Sequence, residues 1–231
     1  MLTVVILFLF FAIVLYFLLG GADFGAGIIE LFTSDRNKSR TRKTMYQAIG
    51  PIWEANHMWL IIAVVILFVG FPVIYSQMCI YLHIPILIML MGIIARGTAF
   101  SFRNYDAIKD EKTQALYNHI FVYSSVVTPL FLGITAGSAI SGQIDFNAHD
   151  FLSAYIFSWF NWFSVAVGLF TVALCGFLAA IYLIGEAGNP LDVERFIKKA
   201  KALNIAAFVC GGLVFIAAEV QKIHLAKKYV L

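Results

Sequence analysis

Residues 2–32 read LTVVILFLFFAIVLYFLLGGADFGAGIIELF, an apolar run interrupted by charge only at Asp23 and Glu30. A membrane-spanning helix needs about 20 mainly apolar residues, because a helix rises about 1.5 Å per residue across a hydrocarbon core of about 30 Å. The run has no basic leader and exceeds the length of a signal-peptide core, so it is expected to stay as a membrane helix. Working outward, the same test selects 56–75, 79–101, 118–141, 153–184 and 203–224. Charge and helix breakers fall between these stretches, at 33–45, in a tight turn near Ser76 and Gln77, and at 103–117, 142–152 and 185–202. The expected fold is all-α: a single membrane domain over 1–231, a polytopic bundle of about six spanning helices.

Composition agrees with that reading. The chain has 231 residues, 61% of them hydrophobic and 13% charged, against roughly 45–50% and about 25% in soluble domains. A net charge of +3 argues against nucleic acid as a partner. Cys79, Cys175 and Cys210 form no C-x-x-C pair, so neither a disulfide framework nor a metal site is indicated.

Lysine and arginine set the orientation, since cytoplasmic loops carry their excess. Arg36, Lys38, Arg40, Arg42 and Lys43 follow the first helix; Arg96, Arg103, Lys109 and Lys112 flank the third connection; Arg195, Lys198, Lys199 and Lys201 lie in the fifth. All of these fall on one side, leaving Lys222, Lys227 and Lys228 for the other. Both termini are therefore expected to face outward. The loops are too short for soluble domains, so any chemistry belongs inside the bilayer.

A charge deep in a bilayer costs at least about 2.5–3.5 kcal/mol and calls for a partner, a cavity or a role. Asp23 lies in GGADFGAG, residues 20–27. Gly20, Asp23 and Gly27 share a helical face, and Gly21 and Gly25 make a G-x-x-x-G that lets another helix approach closely. Glu30, seven residues on, continues the face of Asp23 to the inner interface. Asp23 either hydrogen-bonds a neighbouring helix or handles protons.

The second constellation is GPIWEANHMWLI, residues 50–61. Pro51 suits a first helical turn, and Glu54 and His57 then project from one face. Trp53 and Trp59 read as interface anchors. The third is RGTAFSFR, residues 96–103, in which Arg96, Phe100 and Arg103 share a face. Arg96 is deep enough to pair with Asp23 or Glu54, whereas Arg103 can snorkel to the interface. A structural ion pair is the competing reading for both arginines. His57 and His119 map to the inner half, and His83 and His224 to the outer half, a spacing that admits a heme between two histidines. A lone histidine at a helix end is more often an interfacial polar group.

Together, GADFGAGIIE (21–30), GPIWEANHMWLI and RGTAFSFR, in this order on the first three helices, resemble subunit II of the cytochrome bd-type quinol oxidases. A looser likeness runs through the fourth helix and FNWFSVAVGLFTVALCGFLAAIYLIGEAG, residues 160–188. The resemblance implies a tight heterodimer in the cell membrane with a larger subunit I. That partner would hold hemes b and d, or a third heme b, and the quinol site, with further small subunits and lipid around it. The complex would oxidise quinol and reduce dioxygen to water. On this implication the present chain holds no cofactor and no catalytic residue of its own. Asp23 and Glu54, with His57 beside them, match the family's acidic proton-path positions. Members commonly have eight helices in two four-helix repeats, so a six-helix reading implies a short form. Two other classes stay open on the residues alone: a proton- or ion-coupled transporter, and a heme-carrying anchor for a soluble dehydrogenase.

Overall fold

The computed structural model of the chain describes residues 1–50, 53–105, 110–145 and 150–223, the side chains at 54, 56, 104 and 105 excepted. Among the described residues every regular element is helical. The first span is α1 (Leu2–Leu15), a π-helical turn (Tyr16–Gly20) and α2 (Gly21–Leu31), continuous in direction. It is followed by α3 (Asp35–Ile49), α4 (Trp53–Gly70), α5 (Pro72–Tyr81), α6 (His83–Tyr105), α7 (Glu111–Ser141), α8 (Phe151–Tyr155), α9 (Trp162–Glu186) and α10 (Pro190–Val220). Five of the described helices are long and apolar enough to cross a membrane, or six if α4 and α5 count as one broken span. The fold is thus an all-α, multi-pass membrane architecture.

Several boundaries differ from the sequence expectation, each for a local reason. The turn expected near Ser76 and Gln77 lies inside α5; the chain bends instead by 112° between the segments 57–70 and 72–81. Gly70 and Pro72 flank that bend, and proline brings no N–H to continue the helical ladder there. The polar segment 33–45 is largely helix α3, because Thr41, Met45, Ala48 and Ile49 recur at helical spacing and are all buried. The span expected over 153–184 is interrupted after Tyr155 and restarts at Trp162. Asn161 accepts a hydrogen bond from the Ser164 N–H at 2.9 Å and so caps the restart. Helix α10 begins in the segment 185–202 that read as a connection. There Asn189 accepts from Leu191 N–H at 2.9 Å, and Pro190 occupies the first turn, where its missing donor is no loss.

The chain divides into two compact units. The first holds residues 1–79 and 174–203; the second holds 80–173 and 204–231. In the first unit α1 and α4 run antiparallel: Phe11 meets Trp59 edge-on at 6.0 Å, and Val5 lies by Gly70. Helix α2 packs on the later part of α9, with α3 folded back beside it.

In the second unit α6 and α7 pair antiparallel, and the first part of α9 packs on α7. Small residues permit these approaches: a Cβ on Gly133 would lie 2.7 Å from Gly168 Cα, and one on Gly168 would lie 2.7 Å from the Leu130 carbonyl oxygen. Real Cβ atoms do not come so close, so glycine is required at both crossings. The hydroxyls of Ser124, Ser125, Thr128, Thr135 and Ser138 on α7 each donate to the carbonyl one turn back. That pairing satisfies polar groups which would otherwise be costly in hydrocarbon.

Candidate functional site

In the first unit, Asp23 sits in the opening turn of α2, directly after the π-helical turn, and is 1% exposed. The glycines beside it set how closely α2 is approached by α9. A Cβ on Gly25 would stand 2.6 Å from both the carbonyl carbon of Cys175 and the Cβ of Ala179, and closer still to the Cys175 oxygen. One on Gly21 would stand 3.2 Å from Leu178 Cδ1. The two glycines thus let α9 lie against α2 nearly backbone to backbone, while Asp23, two residues from each, stands on the other face of α2.

At the far end of α2, Glu30 is 0% exposed. Its Oε1 accepts from Arg42 Nε at 2.6 Å, in an ion pair reaching from α2 to α3. The Lys199 ammonium of α10 donates to the carbonyls of Ile29 at 3.0 Å and Phe32 at 3.1 Å, and to the Thr33 hydroxyl. An ammonium there satisfies carbonyls that a helix end leaves without partners, and opposes the negative end of its dipole. A second cluster ties α3 to α10: Asp192 accepts from Arg40 Nε and from Arg195 Nη2, each at 2.6 Å, and Arg195 also donates to Thr41 at 3.3 Å.

Helix α4 carries His57, whose Nδ1 lies 3.1 Å from the Trp53 carbonyl and whose ring stands 5.4 Å from the Trp53 ring. The expected Glu54 partnership concerns a side chain outside the described residues, as are Pro51 and His224.

Arg96 and Arg103 belong to the second unit. Arg96 is 1% exposed; its Nε donates to Ser125 at 3.0 Å, and its guanidinium lies 4.9 Å from the centre of the Phe121 ring. Arg103, in the last turn of α6, is 9% exposed, its guanidinium 4.4 Å from the centre of the same ring, and it donates to Asn118 at 3.5 Å. Phe100 joins them at 6.2 Å from Phe121. The shared face of Arg96, Phe100 and Arg103 therefore meets α7, and Phe121 takes both cations by cation–π contact. Phe121→Leu is expected to lower the melting temperature of the purified protein by the equivalent of about 1 kcal/mol. Calorimetry in detergent measures it, and an unchanged transition counts against the aromatic contribution.

The pairing of Arg96 with Asp23 or Glu54 would run from one unit to the other, and it stays an expectation. Among the described residues no three His, Cys, Asp or Glu side chains come together in a way that could hold a metal ion. The Nδ1 atoms of His83 and His119 face the carbonyls of Ile80 at 2.8 Å and Ala115 at 2.7 Å. Sequence reasoning missed Arg42, Lys199, Asp192 and Phe121. Only the position of Glu30 on the face of Asp23 hinted at the first of them.

A helical membrane protein with carboxylates enclosed along its first span and cations gathered at one end of it defines the class. Within that class, the chain belongs to the cytochrome bd terminal oxidase subunit II family, whose sequence model matches residues 1–229. It is 30% identical over 163 residues to cytochrome bd ubiquinol oxidase subunit 2 of Bacillus subtilis (strain 168), covering 69% of this chain and 46% of that protein. It is 27% identical over 197 residues to cytochrome bd-I ubiquinol oxidase subunit 2 of Escherichia coli (strain K12), covering 84% and 50%. With the probable cytochrome oxidase subunit 2 of Haemophilus influenzae it shares 21% identity over 220 residues, covering 92% and 56%. The chain spans about half the length of the curated relatives it matches.

Proposed function

We propose that this chain is a heme-free accessory subunit of a bd-type quinol:oxygen oxidoreductase in the cell membrane. It supports a larger subunit that carries hemes b and d, or a third heme b, and the quinol site. It also passes cytoplasmic protons toward the site where dioxygen becomes water, through Asp23, Glu54 and His57. Both termini face outward, so the acids of the first two spans open to the interior of the cell.

The observation that carries this reading is the carboxylate of Asp23, 1% exposed within the first span. An ionisable group in that position is costly and is rarely kept without a task. The family membership names the complex in which such a task exists.

In the assembled complex, Asp23→Asn or Glu54→Gln is expected to slow quinol-driven oxygen consumption about a hundredfold or more, the scale on which a lost proton-transfer group acts. The heme spectrum should stay that of the unaltered complex. Full turnover in both variants removes the proton-path claim.

A proton-coupled transporter would be favoured by a span broken near the midplane. Helix α4, however, has 18 residues before the bend, about 27 Å of rise, which brings the break close to the far interface. Solute flux in vesicles containing only this chain would reverse the preference.

A further inference from the structure

Helix α3 follows the end of the first span and is succeeded by α4, which runs antiparallel to α1. It therefore begins and ends at the same end of that span, and with five bases among residues 36–43 it stays at the membrane surface. Its side chains divide into two opposite faces. Thr41, Met45, Ala48 and Ile49 are buried against the rest of the unit. Arg36, Arg40, Lys43 and Gln47, at i, i+4, i+7 and i+11, share the face turned away from it and are exposed. The carboxylates nearby are largely engaged: Asp35 with Lys38, Glu30 with Arg42, Glu194 with Lys198, and Asp192 with both Arg40 and Arg195. Over residues 30–50 and 186–203 nine cations stand against five carboxylates, of which Glu186 is exposed at the end of α9. Arg36 and Lys43 have no carboxylate partner among the described residues, and Arg40 stays 46% exposed although its Nε meets Asp192.

We propose that this outward face of α3, through Arg36, Arg40 and Lys43, binds the phosphate groups of anionic phospholipids in the leaflet at this end of the first span. The three cations lie along about 10 Å of helix, and a guanidinium can grip a phosphate by two parallel hydrogen bonds. Immediately before α3, Leu31 and Phe32 are also exposed. Apolar side chains at the end of a span with unmatched cations beside them suit an amphipathic ligand, acyl chains against the former and phosphates against the latter. An acidic protein surface would answer the cations and leave the apolar pair uncovered. The binding is independent of the proton route through Asp23.

The test titrates the purified full chain in detergent with phosphatidylglycerol or phosphatidylcholine and counts bound lipid by native mass spectrometry. Wild type should prefer phosphatidylglycerol, less so as salt is raised. Lys43→Gln should raise the phosphatidylglycerol Kd about fivefold, and Arg36→Gln with Lys43→Gln about thirtyfold, the scale of one and two cations at an anionic surface. Phosphatidylcholine binding should not change. Lys201→Gln removes an exposed cation of α10 that lies off this face, and should leave the Kd near wild type. Wild-type affinity in the double variant overturns the proposal, as does an equal loss in Lys201→Gln and Lys43→Gln, which would assign the attraction to net charge. A second measurement needs no substitution: acylation of Lys43 by a water-soluble amine reagent, relative to Lys201, in the assembled complex in lipid nanodiscs. Slower reaction in discs containing phosphatidylglycerol than in discs of phosphatidylcholine alone supports the site. Protection in both kinds of disc means that a protein partner covers α3, and equal reaction in both means that the face meets only water; either overturns it.

Discussion

Alanine in place of Gly25 is expected to lower the stability of the purified protein at or above the upper end of the usual overpacking cost, about 1–3 kcal/mol. The new methyl would stand 2.6 Å from the Cys175 carbonyl carbon and 2.6 Å from Ala179 Cβ. One of those neighbours is backbone, so no rotamer change can make room, and α2 must move off α9. The close contact of two helix backbones is lost along its length, and with it much of the dispersion attraction that holds helices together where there is no water to expel. Gly21→Ala provides the graded comparison. Its methyl meets the end of the Leu178 side chain at 3.2 Å, which can give way, and a clearly smaller shift is expected. Thermal unfolding in detergent, followed by tryptophan fluorescence, measures both. A Gly25→Ala protein that melts with wild type, or a Gly21→Ala protein that falls further, contradicts this packing.

The second large effect is expected at Asp192. Asparagine there keeps the shape and removes the one charge that faces both Arg40 and Arg195. Breaking a buried pair costs about 3–5 kcal/mol. Arg40 is 46% exposed and partly solvated already, which places the expected loss nearer 2–3 kcal/mol. Two cations left facing one another should part, releasing α3 from the start of α10. The same melting measurement applies, together with proteolysis of the α3 segment, which should become faster. Glu194→Gln is the matched comparison, since the Glu194–Lys198 pair is exposed at both ends. It should leave the melting temperature where it is. Equal behaviour of the two variants would show that burial contributes nothing to the Asp192 cluster.

Hydropathy made the spanning segments legible because lipid imposes one requirement on every residue of a span. It could not place Pro72 as the breaking point over Ser76 and Gln77, since a polar pair in a tight turn and a polar pair on an interfacial helix look alike in sequence. Helix α3 was hidden by its charge: five bases among residues 36–43 mask the buried stripe of Thr41, Met45, Ala48 and Ile49. At the site, the face shared by Arg96, Phe100 and Arg103 followed from helical spacing, but what that face meets is Phe121, a neighbour supplied by another helix. The partners of Glu30 and of the end of α2 come from residues 12 and about 170 positions away. No local pattern signals contacts at such separations, and they form only once α3 and α10 are in place.

Helix α10 is 31 residues long, about 46 Å, against a hydrocarbon thickness of about 30 Å. Its first three turns carry Asp192, Arg195 and Lys199, so the surplus length is where α2 and α3 are fastened. The apolar part of α10, from residue 203 on, answers a membrane thinner than itself by tilting, and here the tilt would pull directly on those fastenings. Acyl-chain length should thus register as strain on an ion-pair cluster, making the lipid composition of the host membrane a mechanical input to this subunit.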